Sequence, residues 1–210
     1  MPQNLAVPLL DNQITVNELN EFLQNTKRNK SPGLDRVPYE FLTKAPQSAI
    51  NILAKLSNRM LECGKVESDF QKSIIFSNYK KGDQNIVQNY RGISFMDTIG
   101  KSFAGVLLTR LQQWEKEFSI LNEFQAGFRE GYSTADNPFN LFNIIKLQMN
   151  DNKKVYCSFI DFKAAFDYID RRTLLYKLQI LGISEKLIPI IRDLYDKRKA
   201  AVCDGEQLSD

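Results

Sequence analysis

The chain contains no histidine among its 210 residues. This absence excludes Ser-His-Asp and Cys-His catalysis and also histidine metal sites. Any catalysis must therefore depend on carboxylates, lysines, arginines, hydroxyls or cysteines. Cys63, Cys157 and Cys203 are odd in number and far apart, so neither a zinc site nor a disulfide framework is expected. This cysteine usage is typical of a reducing intracellular compartment, the cytoplasm or the nucleus.

Long hydrophobic runs are also missing. No segment approaches the roughly 20 apolar residues of a membrane span, and the first ten residues, MPQNLAVPLL, have neither a basic leader nor a long apolar core. We therefore expect no signal peptide and no membrane partner. The composition, 43% hydrophobic and 25% charged, is typical of a globular protein. The net charge of +3 is a weak indication of a polyanionic partner.

Helix signals dominate the first 64 residues. Thr15 and Glu18 have the spacing of a capping box and predict the start of a helix. Pro38 and Pro46 each predict the start of another, because proline suits the first position of a helix. Gly64 is predicted to end the last of these helices.

The pattern then changes to that of strands. Residues 73–79 and 90–96 predict a hairpin with a basic tip, and 200–203 predict a late strand that opens a hairpin without a return strand. Residues 155–162 predict a strand in which Cys157 packs in the core. Further helices are expected from Thr98 to the region of a buried Trp114, after Ser133 or Thr134, and over residues 171–181 and 185–197. Strands interspersed among helices without regular alternation indicate an α+β fold.

The expected strand 155–162 ends in a carboxylate, Asp161. One interpretation is that aspartate simply starts a turn there. The other is that the acid holds Mg²⁺, which prefers one or two carboxylates together with phosphates and water. Basic residues in loops could grip those phosphates, although such residues are often only solvated. Metal ions and cations around a phosphate are the arrangement for phosphoryl transfer.

Four ordered blocks of the sequence resemble a reverse transcriptase of the non-LTR, LINE-like retrotransposon class. They are KSPGLDRVPYEFL (30–42), YKKGDQNIVQNYRGISFMDTIGKSF (79–103), FQAGFREGYSTADNPFNL (124–141) and FIDFKAAFDYIDRRTLLYKLQILGI (159–183). The resemblance implies a right-hand polymerase fold with fingers and an incomplete palm. It divides one continuous domain into an N-terminal helical extension (1–27), a fingers-like region (28–150) and the start of the palm (151–210).

The resemblance also assigns roles to individual residues. Asp161 would be the catalytic aspartate, which binds two Mg²⁺ ions together with the backbone carbonyl of Phe162. Phe166 occupies the position of a steric gate that excludes the ribose 2′-hydroxyl and favours dNTPs. The remaining nucleotide-binding residues would be Lys80, Lys81, Arg91 and Gln125, and the template-binding residues would be Lys30 and Arg129. Asp167 is expected to stabilise a turn or to pair with a nearby base such as Arg171.

The implied activity is RNA-directed DNA synthesis, with an RNA template, a DNA primer and dNTPs as partners. Within these 210 residues the second catalytic block of the family, an aromatic-x-Asp-Asp hairpin, does not occur. We therefore expect a fragment that does not polymerise on its own. Three alternatives stay open: a polymerase that copies RNA into RNA, a non-catalytic RNA-binding remnant of a mobile element, and a defective copy without function.

Overall fold

The structure, a computed structural model, describes residues 7–204 and 207–209. The rest of the expected N-terminal extension (1–6) and residues 205, 206 and 210 lie outside the described residues. The described chain forms a mixed helix-and-strand fold, which confirms the predicted class. Its helices are α1 (Pro8–Asp11), α2 (Val16–Asn25), α3 (Tyr39–Thr43), α4 (Gln47–Cys63), α5 (Thr98–Phe118), α6 (Asp136–Asn150), α7 (Arg171–Ile180) and α8 (Leu187–Asp196). Its strands are β1 (Lys72–Tyr79), β2 (Tyr90–Met96), β3 (Lys199–Asp204) and β4 (Gln207–Leu208).

The four strands form one sheet in the order β2-β1-β3-β4. The predicted hairpin is confirmed, since β1 and β2 pair antiparallel from Ser73↔Met96 to Tyr79↔Tyr90. The late strand is also confirmed, and it pairs parallel with β1 from Lys72↔Lys199 to Phe76↔Cys203. The expectation that β3 has no return strand was wrong, because the short β4 pairs antiparallel with it.

The chain divides into two compact units, which we call the larger and the smaller unit. The larger unit comprises Met1–Trp114 and Arg171–Asp210, and the smaller unit comprises Glu115–Asp170. This division does not follow the expected regions 1–27, 28–150 and 151–210. Those regions are defined by their roles in a polymerase, and they stay a prediction.

Local sequence signals explain the helix ends of the larger unit. The capping box at the start of α2 is present, because the Thr15 hydroxyl accepts a hydrogen bond from the Glu18 backbone N–H and the Glu18 carboxylate accepts one from Thr15. Gly64 ends α4 with φ = 63°, a left-handed conformation that favours glycine. The apolar faces of the helices form a core that includes Leu10, Leu19, Leu23, Ile50, Phe103, Val106, Trp114, Leu187 and Ile190.

Arg110 of α5 lies inside this core with only 4% of its surface exposed. Its Nε donates to Glu18 Oε1 at 2.6 Å, and its Nη2 donates to Glu18 Oε2 at 3.0 Å. The same guanidinium donates to the backbone carbonyls of Leu10, Asn12 and Gln13. Arg110 therefore joins the segment before α2 to α5. The N-terminal segment is thus an integral part of the larger unit.

The smaller unit has no buried residue anywhere in 115–170. The predicted strand 155–162 was wrong, since this segment has no regular secondary structure. Tyr156, Phe159 and Ile160 are exposed, and so is Cys157, which was expected in the core. Strand-favouring residues suit a pleated, half-buried surface that other strands provide. All the strands of the described chain lie in the larger unit, and none pairs with residues 155–162.

Candidate active site

The tip of the β1–β2 hairpin carries the predicted triphosphate-binding lysines. The backbone N–H of Lys80 donates to the Asn89 carbonyl at 2.8 Å and closes the hairpin. Gly82 has φ = 98°, and a Cβ there would lie 2.7 Å from Asn89 Nδ2. Lys80 and Lys81 are themselves exposed. The tip therefore has a defined backbone and two lysines that are accessible to an anion.

Arg91 lies on β2, close to this tip. It pairs with Asn78 in the register, next to the Tyr79↔Tyr90 pair, whose rings are 5.6 Å apart. Arg91 is exposed. The structure thus places Lys80, Lys81 and Arg91 at the same end of one hairpin.

Lys30 lies elsewhere in the larger unit, in a loop at the base of the hairpin. The Asp35 backbone N–H donates to Asp97 Oδ1 at 3.1 Å, immediately after β2. Gly33 is packed so closely that a Cβ would lie 2.5 Å from the backbone nitrogen of Asp97. The seven residues of β2 span about 20 Å. Lys30 is therefore near the opposite end of the hairpin from Lys80, and the structure does not bring the two together.

Asp97 is a residue that sequence reasoning missed. It is 7% exposed, and burial, together with the nearby Asp35 carboxylate, raises its pKa. Lys101, one turn into α5, reaches the Ser31 carbonyl at 3.5 Å, and burial lowers the pKa of this lysine. A single acid between a strand and a helix, Met96-Asp97-Thr98, was the available signal. The signal is ambiguous because aspartate is common at helix starts.

In the smaller unit, Gln125 and Arg129 belong to one loop that is held by local contacts. Gln125 donates from its backbone N–H to the Asn122 carbonyl at 2.9 Å and from Nε2 to the Gly127 carbonyl at 3.1 Å. Arg129 donates to the same Asn122 carbonyl at 3.2 Å. It also lies 3.5 Å from Glu115 Oε1, without the geometry of a hydrogen bond. The guanidinium of Arg129 therefore helps to stabilise the loop.

Asp161 and Phe162 are exposed in the irregular segment that replaces the expected strand. A turn follows in which Ala164 has φ = 50° and its carbonyl accepts hydrogen bonds from the Asp167 and Tyr168 backbone N–H groups. Asp167 thus lies in a turn, and its role in stabilising that turn or pairing with Arg171 stays a prediction. The Asp161 carboxylate and the Phe162 carbonyl are oxygen donors of the kind that Mg²⁺ prefers. Within residues 7–204 and 207–209, however, no three acidic or cysteine side chains form a cluster that could hold a metal ion.

The structure brings one predicted site residue into contact with an unpredicted one. The Phe166 ring meets the Phe128 ring with the centroids 5.9 Å apart and the planes at 87°, an edge-to-face arrangement. Phe128 belongs to the block 124–141, and Phe166 belongs to the block 159–183. Two blocks that are separate in the sequence therefore meet through their aromatic rings within the smaller unit.

Comparison with known proteins defines the family. Residues 79–209 match the model of the family described as reverse transcriptase (RNA-dependent DNA polymerase). The matched segment contains the basic tip and the second strand of the hairpin, and also the Asp161 segment. The chain belongs to the reverse transcriptase family, whose members are nucleotidyltransferases that generally use divalent metal ions.

Individual relatives come from retrotransposons without long terminal repeats, which confirms the predicted class. The chain is 31% identical over 86% of its length to the probable RNA-directed DNA polymerase from transposon BS of Drosophila melanogaster. It is 27% identical over 97% of its length to the RNA-directed DNA polymerase from mobile element jockey of Drosophila funebris. It is also similar, at 23% identity over 92% of its length, to a 149 kDa protein of transposon TX1 from Xenopus laevis. The chain spans 20%, 22% and 15% of the lengths of these proteins, respectively.

Among the helices of the described residues, none is both long and apolar enough to cross a membrane.

Proposed function

We propose that this chain forms the fingers and the first part of the palm of an RNA-directed DNA polymerase with a right-hand fold. The observation that carries this proposal is the family match over residues 79–209, which includes the basic tip of the hairpin, the loop of Gln125 and the segment of Asp161. The substrates are an RNA template, a DNA primer and dNTPs. The reaction transfers a nucleotide to the primer 3′-hydroxyl.

The hairpin holds the triphosphate of the incoming dNTP. The side chains of Lys80, Lys81 and Arg91 are exposed at the same end of the hairpin, where they neutralise the charge of the phosphates. Arginine adds orientation because its planar guanidinium can donate two parallel hydrogen bonds to phosphate oxygens. Gln125 is a further nucleotide-binding residue in this proposal.

Asp161 and the carbonyl of Phe162 contribute ligands for Mg²⁺. When bound, Mg²⁺ activates the attacking hydroxyl and stabilises the leaving pyrophosphate. Asp161 is exposed and next to a turn, so its carboxylate is accessible to a metal ion that arrives with the nucleotide.

Phe166 selects the sugar. Its ring is large and 73% exposed, so it is available to lie against the sugar of the incoming nucleotide, where a 2′-hydroxyl would collide with it.

Lys30 and Arg129 contact the template strand. Arg129 does so from a loop position that Asn122 and Glu115 stabilise.

The test compares Asp161→Asn with Asp167→Asn in the open reading frame that contains this chain. Primer extension on an RNA template is expected to fall at least about a thousandfold for Asp161→Asn, because a metal ion supplies several kcal/mol of transition-state stabilisation. Asp167→Asn is the matched control, and synthesis should change much less. Filter binding of the RNA template should be nearly the same for both variants. Near-normal synthesis by Asp161→Asn would contradict the metal role.

A second candidate function is RNA binding without catalysis. It is favoured by the exposed basic hairpin and by the lack of an acidic cluster in the described residues. It predicts that RNA affinity falls steeply with salt, as phosphate contacts require. It also predicts that no dNTP is incorporated by the native protein. Incorporation that depends on Asp161 would exclude this candidate.

A further inference from the structure

Phe128 and Phe166 form a two-ring cluster on the surface of the smaller unit, which we call the ring pair. Phe128 is 89% exposed and Phe166 is 73% exposed. Two large aromatic rings that remain so exposed gain little from burial. Their edge-to-face contact is therefore a substantial part of what orients each ring.

The backbone of Phe128 is held in an unusual conformation. Its φ of 63° lies in the left-handed region, which is rare for a bulky residue other than glycine. Such a conformation persists only where the surrounding structure determines it, and it is often found at functional sites. Here the surroundings are the Asn122 contacts of Gln125 and Arg129, on either side of Phe128. The loop therefore directs the Phe128 ring.

Phe166 has little support of its own. It lies in the turn that Ala164 begins, and every residue from 161 to 170 is exposed. No core side chain within that turn restricts the ring. A steric gate, however, must keep its ring in one place, because an error of about 1 Å in position is enough to change a rate substantially.

We propose that Phe128 is a positioning residue for the sugar gate: its ring holds the Phe166 ring in the place where it excludes a 2′-hydroxyl. This inference rests on the proposed function and adds to it a residue that determines sugar specificity. Phe128 acts through Phe166 and does not itself need to touch the nucleotide. Its removal should therefore affect ribonucleotides more than deoxyribonucleotides.

The first test measures kcat/KM for a dNTP and for the matching rNTP with the open reading frame that contains this chain. Phe166→Val should relax the discrimination most. Phe128→Ala should relax it by roughly two- to tenfold, the range expected for loss of one aromatic pair, chiefly through a lower KM for the rNTP. Phe128→Tyr keeps a ring and should restore discrimination. Phe124→Ala, an exposed phenylalanine of the same loop outside the ring pair, is the matched control and should leave the ratio unchanged.

The double variant Phe128→Ala/Phe166→Val separates positioning from a general structural effect. If Phe128 acts through Phe166, the double variant should discriminate no worse than Phe166→Val alone, because coupled residues are not additive. Effects that multiply would contradict the proposal. So would a Phe128→Ala variant with normal discrimination beside a relaxed Phe166→Val variant, a result that would leave the proposed function intact. A native protein without DNA synthesis would overturn both.

A second readout does not require synthesis. Fluorine NMR of this 210-residue chain, with 4-fluorophenylalanine at position 166, reports the ring environment directly. Phe128→Ala should shift and sharpen the signal, since the fluorinated ring loses its neighbour and becomes more mobile. Phe124→Ala should leave the signal unchanged. An identical spectrum for Phe128→Ala would overturn the proposed contact.

Discussion

The larger and smaller units differ most in what they bury. Every buried residue of the described chain lies in the larger unit, whereas residues 115–170 contain none. Yet the smaller unit carries Asp161, Phe166 and Gln125. Segments that bind ligands are commonly drawn from the less stable parts of a protein. The core and the candidate metal-binding and sugar-gate residues therefore occupy different parts of this chain, whereas the basic hairpin belongs to the same unit as the core.

The polar groups of the two units also differ. In the larger unit, Gln71 is buried and donates to the Asp193 carboxylate at 2.9 Å, and the Val66 backbone N–H donates to the same carboxylate. Burial alone would raise the pKa of Asp193, but the hydrogen bond from Val66 and the contact with Lys197 lower it. In the smaller unit, Asn122 and Arg129 contact residues that are near them in the sequence, and these contacts lie close to solvent. We therefore expect the larger unit to unfold cooperatively and the smaller unit to open locally.

Hydrogen exchange should show the largest difference between the units. Amides of α4 and α5 in the larger unit should exchange at least about a thousandfold more slowly than those of residues 155–162, since core helices open only with global unfolding. Mass spectrometry of peptic fragments measures both at once. Equal protection of residues 155–162 and α5 would contradict the expected difference in local stability between the two units.

Removing the buried guanidinium should strongly destabilise the larger unit. Arg110→Met should lower the free energy of unfolding by about 3 kcal/mol, because it removes the guanidinium that pairs with the Glu18 carboxylate and donates to three carbonyls. Urea unfolding of the purified chain measures the change. Arg59→Met on the exposed face of α4 is the control, with a change within about 0.5 kcal/mol. Equal losses in the two variants would refute the role of Arg110.

The same glycine-to-alanine change should destabilise the protein more in the larger unit than in the smaller unit. Gly33→Ala should cost about 2 kcal/mol, since the new Cβ would lie 2.5 Å from the backbone of Asp97 and Met96. Gly127→Ala in the smaller unit meets its nearest atom, Gln125 Nε2, at 3.5 Å and should cost little. Thermal unfolding of the two variants gives the comparison. A larger loss for Gly127→Ala would contradict the packing described for residues 30–35.

The pH dependence of stability should show a smaller effect at Asp97. Burial raises its pKa, so the native state binds more protons than the unfolded state, and the free energy of unfolding falls as pH rises from about 4. Asp97→Asn removes the destabilisation caused by a buried negative charge. The new amide oxygen can still accept the hydrogen bond from the Asp35 backbone N–H. The variant should therefore gain stability relative to the parent between pH 4 and 7. Parallel stability curves for the two proteins would contradict this expectation.

Glu18 provides a control in which the pH dependence of stability has the opposite sign. Burial alone would raise its pKa, but hydrogen bonds from Arg110 and Thr15 outweigh this effect and lower it. The stabilisation is present above the unfolded pKa of about 4.3 and is lost as pH falls through the lower native pKa. Glu18→Gln should therefore lose stability relative to the parent at pH 7 and approach it in acid. Urea midpoints measured across this range provide the test.

Local signals explain which parts of the fold were predictable. The capping box of Thr15 and Glu18, the left-handed Gly64 and the hairpin of β1 and β2 all depend on residues close in sequence. The parallel pairing of β1 with β3 was not predictable, because it joins segments more than 100 residues apart, such as Lys72 and Lys199. The strand expected over 155–162 was wrong for the related reason that β-propensity expresses packing against neighbouring strands.

The residues of the candidate site can also be divided into those that were predictable from the sequence and those that were not. Asp161, Phe166 and the hairpin cations could be proposed from sequence because they lie in blocks with fixed spacing. The hydrogen bond that Asp97 accepts from the Asp35 backbone N–H and the ring contact of Phe128 depend on segments that meet only after folding. The place of Asp97 between a strand and a helix is an ambiguous signal, and nothing in its type or spacing distinguishes Phe128 within its block.

The most direct test of the central claim is the chemical identity of the product. The open reading frame that contains this chain is given an RNA template, a DNA primer and Mg²⁺, with either four dNTPs or four rNTPs. We predict a primer extended with dNTPs that is resistant to ribonuclease and digested by deoxyribonuclease. Extension with rNTPs alone, or RNA binding without any extension, would contradict the assignment of this chain to RNA-directed DNA synthesis.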